Sequence, residues 1–211
     1  MKNSKKIIPI GLMLIILVIV VQGSMAYFTS ESNVINKFLA SSTDIEVEEE
    51  FIPPEQWDGN ILSKSVQIKN ESNTPVLVRV SITPRWVNED GSPFSGDTSS
   101  NTITLDFTKE LKESIEEEKW FKGNDGYYYY LKILEGNNVT SILLESVALK
   151  EGVILPEDYK GKNLYVDVKA EAVQATNHDE NQDGINEYQF EKVWFNVDAN
   201  ISGKLKEILD K

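Results

Sequence analysis

The residues whose types and spacing could do chemistry lie in one short acidic loop. Oxygen-bearing side chains alternate at its first, third and fifth positions, Gly184 follows at the sixth, and a carboxylate stands at the ninth. Calcium-binding loops gather hard oxygen atoms around one point in this way. An EF-hand loop has a bidentate acid at position 12, where this chain has Phe190. The loop is therefore either a calcium-binding β-hairpin loop or a plain acidic turn between strands, and the candidate ligands are Asp179, Asn181, Asp183 and Glu187.

Signatures of enzymes are absent from the rest of the sequence. The chain has one histidine, His178, and no cysteine, so it cannot supply the usual zinc ligand sets. No Gly-x-Ser-x-Gly motif provides a nucleophile for that histidine to activate, and no glycine-rich phosphate loop occurs. We therefore predict that the protein is not an enzyme. Calcium is the one candidate cofactor, and no cofactor is certain.

The charge of the chain limits its partners. Its formal net charge of −13 argues against nucleic acid, because phosphate binding requires a basic surface. It equally disfavours an anionic membrane surface. Such a chain stays soluble by self-repulsion, and its assembly should respond to salt, pH and divalent cations.

The N-terminus has the three parts of a secretory signal peptide. A basic head precedes an apolar run from Ile7 to Val21, and small residues follow, with Ser24 and Ala26 at the −3 and −1 positions. A helix of 15 residues spans about 22 Å, short of the roughly 30 Å hydrocarbon core, which disfavours the alternative of a permanent anchor. We predict that residues 1–26 are cleaved off between Ala26 and Tyr27, and that only the uncleaved peptide contacts the membrane.

The residue pattern of 44–202 predicts one all-β domain. Short stretches of alternating or β-branched residues are separated by polar turns, which is typical of an antiparallel sandwich, and about eight strands suit a jelly roll. One short helix is predicted over 108–120, and 203–211 form a tail too short to be a stable helix alone. The predicted strands are 44–51, 65–70, 75–83, 102–107, 127–134, 140–149, 164–175 and 188–197.

Two segments leave alternatives open. The tyrosines of 127–130 place two rings on each face of a strand, which predicts core on one side and, on the other, an aromatic surface, a carbohydrate-stacking surface or a subunit contact. Residues 27–43 set apolar side chains among Ser, Thr and Asn without a clean period. This N-terminal arm is either frayed or packed on its own domain, or it is a strand donated to a neighbouring subunit.

The arm carries a family resemblance. The junction Ala26-Tyr27-Phe28-Thr29, followed by Asn33-Val34-Ile35-Asn36-Lys37-Phe38, resembles the start of the TasA/camelysin group of exported Gram-positive matrix proteins. Further stretches are similar to the BsaA-type clostridial branch of that group. They are Lys64-Ser65-Val66-Gln67-Ile68-Lys69-Asn70 with Val78-Arg79-Val80, Gly126-Tyr127-Tyr128-Tyr129-Tyr130, and Val168-Lys169-Ala170-Glu171-Ala172-Val173-Gln174-Ala175.

The resemblance implies a secreted jelly-roll subunit that polymerises with itself into biofilm-matrix or surface fibres by donor-strand exchange. It implies cleavage by a SipW-type signal peptidase and a place in the extracellular matrix or on the surface of a Gram-positive bacterium, with other matrix or pilus components as further partners. The donor residues would be Phe28, Val34, Ile35 and Phe38. Two alternatives remain, a secreted metallopeptidase of the camelysin type, for which the chain lacks histidine pairs, and a monomeric surface binding module.

Overall fold

The strands of this protein differ in how many of their faces are covered, and their residue patterns follow from that difference. The computed structural model describes residues 44–51, 59–109, 111, 119–178 and 186–211, all within one compact unit. The strands in these residues are β1 (Ile45–Phe51), β2 (Leu62–Asn70), β3 (Val76–Val87), β4 (Pro93–Phe94), β5 (Ile103–Phe107), β6 (Trp120–Lys122), β7 (Tyr128–Leu134), β8 (Leu144–Leu149), β9 (Asn163–Gln174), β10 (Asn177–His178) and β11 (Glu187–Tyr188). The helices are a 3₁₀ turn at Glu157–Tyr159, α1 (Gln189–Val193) and α2 (Ala199–Leu209).

The strands form two main antiparallel sheets. Sheet 1 has the order β1-β2-β8-β5. In sheet 2, β9 pairs with the whole of β3 along one side, while β7 and β4 pair with the two ends of β3 along the other, and β6 follows β7. Strands β10 and β11 make a separate two-residue ladder. This arrangement confirms the predicted all-β antiparallel sandwich, and eight of the described strands are three residues or longer.

The main core lies between the two sheets. Strand β2 alternates buried and half-exposed residues along its length, as expected of a strand with one covered face, and it contributes Val66 and Ile68. From sheet 2 come Val78 and Val80 of β3, with Tyr128 of β7 among the aromatic residues. These five side chains are at most 5% exposed, so the centre of the sandwich is closely packed.

A second apolar layer covers the outer face of sheet 2. Leu77 of β3 and Tyr129 of β7 point away from sheet 1 and pack against Phe190, Trp194 and other residues of the C-terminal helices. Strand β3 is therefore buried on both faces, which explains the continuous run of buried residues from Val76 to Val80. The tyrosine strand is covered on both faces too, so the prediction of an exposed aromatic surface there was wrong.

Half of the last predicted strand, 188–197, is helix. Only Glu187–Tyr188 is a strand, and α1 begins at Gln189. Phe190 and Trp194 are four residues apart, so a helical turn points both rings at sheet 2. This i, i+4 spacing is visible in the sequence and is typical of a helical turn, in contrast to the strand predicted there.

Helix α2 crosses the boundary drawn at residue 203. It begins after Asp198, whose side-chain Oδ1 accepts a hydrogen bond from the backbone N–H of Asn200 at 2.8 Å, a typical N-cap. Ile201 and Leu205 are fully buried in the same layer as Phe190. Tertiary packing thus supplies the stability that an 11-residue helix lacks in isolation.

Two other predicted elements differ from the structure or lie outside its described part. Strand β3 continues through Pro84, the predicted stop, to Val87. At Pro84 the strand is paired only with Val166 of β9 among the described residues, because β7 and β4 pair with the two ends of β3 and not with its middle. The missing N–H of Pro84 therefore leaves the ladder between β3 and β9 intact. The predicted helix over 108–120 lies mostly outside the described residues, and Trp120 at its end belongs to β6. Among the described residues no helix combines the length and apolar character that crossing a membrane requires.

Two phenylalanines test the packing of the C-terminal layer, because they lie close together in the sequence and one is buried while the other is exposed. We expect Phe190→Ala to lower the free energy of unfolding by about 3–5 kcal/mol, because it opens a cavity beneath α1 where the ring is fully buried. Phe195→Ala should change it by less than about 0.5 kcal/mol, because that ring is 79% exposed. Urea denaturation measures both, and equal costs would contradict the layer.

Candidate functional site

Most of the residues that the sequence singled out lie outside the described part of the structure. Glu187 is the exception: it pairs with His178 across β10 and β11, and its carboxylate lies 2.7 Å from Nζ of Lys192. Within the described ranges no three His, Cys, Asp or Glu side chains are grouped as metal ligands would be. The calcium loop therefore stays a prediction. The residues outside the description are Ala26, Tyr27, Phe28, Val34, Ile35, Phe38, Asp179, Asn181 and Asp183.

The candidate functional site is the side of the sandwich where both sheets end in a long strand. Strand β1 pairs only with β2, and β9 pairs only with β3, so each has one unpaired edge among the described residues. Backbone atoms of the two strands approach within 8 Å (Cα to Cα), which places both edges on the same side. An unpaired edge presents a row of N–H and C=O groups that another strand can use.

The apolar interior is incompletely covered along this side. Val66 and Val80, in the middle of the sandwich, have no exposed surface. By contrast Val166 and Val168 on the inner face of β9, and Val47 on the inner face of β1, are only partly buried. Ile45 and Ala172 share this intermediate burial. A further strand laid along this side would remove their remaining apolar surface from water.

An ion-pair network fixes β9 to β3 on the opposite, outer face of sheet 2. Arg79 of β3 donates from Nη2 and Nε to Oε2 of Glu171 on β9, at 2.7 and 2.9 Å. Nζ of Lys169 lies 2.9 Å from the other carboxylate oxygen of Glu171. Further along the same pair of strands, Nε of Arg85 lies 2.5 Å from Oδ2 of Asp167.

Aromatic rings enclose the guanidinium group of Arg79. Its Cζ lies 4.0 Å from the ring centroid of Tyr127 and 5.0 Å from that of Trp194. The hydroxyl of Tyr129 donates to Oδ2 of Asp125 at 2.5 Å, and the side chain of Arg79 is only 8% exposed. Carboxylates and aromatic rings thus surround this cation beneath the C-terminal helices. We infer that Arg79 stabilises the fold.

The environment shifts the pKa values of this network. Burial alone raises the pKa of Glu171, but hydrogen bonds from Lys169 and Arg79 outweigh it and hold the pKa below the usual range of a glutamate. Burial, and then the hydrogen bond to Asp125, raise the pKa of Tyr129 far above its usual value. Burial also raises the pKa of Tyr128 to about 12. Both tyrosines are therefore neutral at physiological pH and suited to packing and donation.

No protein-family model, curated protein or solved structure matches this chain. The resemblance to the TasA/camelysin group thus stays an expectation from short motifs.

Reasoning from sequence missed both the network and the open edge. One signal was available for the network: Arg79 interrupts an otherwise apolar strand, which indicates a charge on a covered face. That the two strands are neighbours was not visible, because 92 residues separate the pair along the chain. The open edge depends on sheet order, which alternation does not specify.

We expect the Arg79–Glu171 pair to behave as a buried ion pair. Glu171→Gln alone should lower the free energy of unfolding by about 3 kcal/mol, because it leaves a buried cation short of its partner. The double variant Arg79→Met, Glu171→Leu should cost less than that single change. The matched control is Arg85→Met with Asp167→Asn, an exposed pair on the same strands, which should cost under about 1 kcal/mol. Urea denaturation of each variant makes the measurement, and equal effects for the two pairs would contradict it.

The lowered pKa of Glu171 also predicts a pH dependence. A carboxyl whose folded pKa lies below its unfolded value stabilises the fold above the unfolded pKa, about 4.3, and that stabilisation is lost as pH falls through the folded pKa. The free energy of unfolding of the wild type should therefore fall more steeply below about pH 4.5 than that of Glu171→Gln. Parallel curves in acid would show that Glu171 contributes nothing to this dependence.

Proposed function

We propose that this protein is an exported structural subunit that polymerises by donating its N-terminal arm, Tyr27 to Leu39, to an open sheet edge of the next subunit. The observation that carries this proposal is the side of the sandwich where, among the described residues, β1 and β9 each have an unpaired edge and their inner-face aliphatic residues are half-buried.

The arm has the composition that an added strand requires. Apolar side chains at Phe28, Val34, Ile35 and Phe38 are spaced among small and polar residues. On an open edge its backbone gains ladder hydrogen bonds, and each large side chain that becomes buried contributes roughly 1.5–3 kcal/mol. Several such contributions together offset the translational and rotational entropy lost on association.

Export and cleavage would control when assembly begins. Before the predicted cut between Ala26 and Tyr27, a hydrophobic leader precedes the arm, so the arm has no free end to insert. Processing by a SipW-type signal peptidase would release it outside the cell. The subunits would then build a matrix or surface fibre in which each both donates and receives a strand.

The charge of the processed chain sets the conditions for polymerisation. Loss of residues 1–26 removes three lysines and no acid, which leaves 18 basic and 34 acidic side chains, a net charge of −16. Subunits of such charge repel one another at low ionic strength, and salt within the physiological range screens this repulsion over about 8–10 Å. Added salt should therefore speed polymerisation.

The proposal is tested with purified protein that begins at Tyr27. We expect it to form oligomers in size-exclusion chromatography and fibres in electron micrographs, more readily as salt increases. A chain without Tyr27–Leu39 should stay monomeric while keeping its thermal unfolding transition, because the arm is not needed for the sandwich itself. Phe28→Ser with Phe38→Ser should weaken assembly strongly, and Ser30→Ala with Ser32→Ala, in the same arm, should not.

Two results would count against polymerisation. If the intact processed protein stays monomeric at every concentration and salt level, the arm is not a donor. If the armless chain polymerises as well as the intact one, another surface joins the subunits.

A further inference from the structure

Of the two open edges, only one is suited to receive a strand. We propose that the arm of a second copy pairs with the free edge of β9 and not with the edge of β1. This inference rests on the proposed function. It names β9 as the acceptor strand and gives the reason why the arm does not pair with β1.

Length favours β9 among the strands that end a sheet. β9 has 12 residues, whereas the opposite ends of the two sheets are β5 with five and β6 with three. An extended strand of 12 residues covers about 40 Å, and an arm of 13 residues from Tyr27 to Leu39 reaches about 43 Å. The arm and β9 therefore match nearly end to end.

Charge excludes β1. Its outer face carries Glu46, Glu48 and Glu50, and Glu49 lies on its inner face, where Oε2 is 2.6 Å from Nζ of Lys64. The side chain of Lys64 is only 7% exposed. Outward charges and an inward-pointing charge on an edge strand are two devices by which proteins prevent further strands from pairing. A strand added at β1 would have to cover this ion pair and lie beside four carboxylates.

Strand β9 has no inward-pointing charge, and its outward charges are neutralised by partners. Its inner face is apolar from Leu164 through Val166, Val168 and Ala170 to Ala172, and only Gln174 at its end is polar. Its outer-face charges are already paired, since Asp167 binds Arg85 and Glu171 binds both Arg79 and Lys169. An incoming strand therefore meets apolar surface on one side and compensated charge on the other.

The arm complements this edge. In an extended arm, Phe28, Val34 and Phe38 share one face and alternate with residues of the other face. These three side chains would cover the half-buried valines of β9 and the adjacent part of β1. The side chains of the arm include one acid, Glu31, and one base, Lys37, and the α-amino group freed at Tyr27 adds a positive charge, so the arm brings no excess of negative charge to the acceptor.

The absence of cysteine from the sequence allows a direct test by crosslinking. Chains beginning at Tyr27 with Val34→Cys are mixed with tagged chains carrying Val168→Cys on β9 or, as the matched control, Val47→Cys on β1. Both acceptor positions are inward-facing and half-buried. With a short thiol-specific crosslinker, the mixed product should form at least ~5-fold faster with the β9 variant than with the β1 variant.

Hydrogen exchange measured by mass spectrometry tests the same inference without any substitution. On assembly of the cysteine-free protein, amides in Asn163–Gln174 should exchange at least ~10-fold more slowly, because a new neighbour occupies their free edge, and those in Ile45–Phe51 should change much less. This measurement remains decisive if a cysteine variant fails to fold.

Each outcome separates this inference from the proposed function. Fibres with crosslinks and new protection at β1 instead of β9 would overturn the acceptor assignment and leave strand donation standing. Crosslinking within single chains in a Val34→Cys, Val168→Cys variant, without mixed products, would show that the arm folds back on its own domain and would overturn both. Failure of the cysteine-free protein to assemble would also overturn both.

Discussion

The apolar side chains of β3 and β7 pack in two directions, against sheet 1 on one face and against the C-terminal helices on the other. This double burial places the two central strands at the middle of three layers. It also explains why a short helix at the end of the chain is ordered: Ile201 and Leu205 gain from burial what the helix lacks in length. The covered face of the tyrosine strand has the same origin.

A charged side chain on a strand that is covered on both faces has to be paired within the protein. Arg79 lies on the outer face of β3 beneath Trp194, so its guanidinium group must find its partners inside the protein. Glu171 on β9 and the ring of Tyr127 provide them. The same contacts tie β9 to β3 from its outer side. They support the register of β9 with β3, although β9 ends the sheet among the described residues.

The two edge strands on this side therefore differ in their charges, and that difference underlies the proposed choice of acceptor. Strand β1 carries glutamates on its outer face and an ion pair with Lys64 inside, whereas β9 has an apolar inner face and paired outer charges. A protein that polymerises by strand addition needs one edge that accepts and must block the others, because indiscriminate pairing leads to aggregation. The acidity of the whole chain acts in the same direction at longer range.

The sequence by itself determined the class of fold, since alternation such as that of Val47, Val66 and Ile68 reports directly which faces of a strand are covered. It also predicts an N-terminal arm, a cleaved leader and a calcium-binding loop, each from a pattern local to the chain. It did not determine which strands are neighbours, that Arg79 meets Glu171, that Phe190 lies in a helix which ends before Trp194, or which strands end the two sheets among the described residues. Tertiary structure decided these, because sheet order and ion pairs join residues far apart in sequence, and because packing against sheet 2 outweighs weak local preference in the last 25 residues.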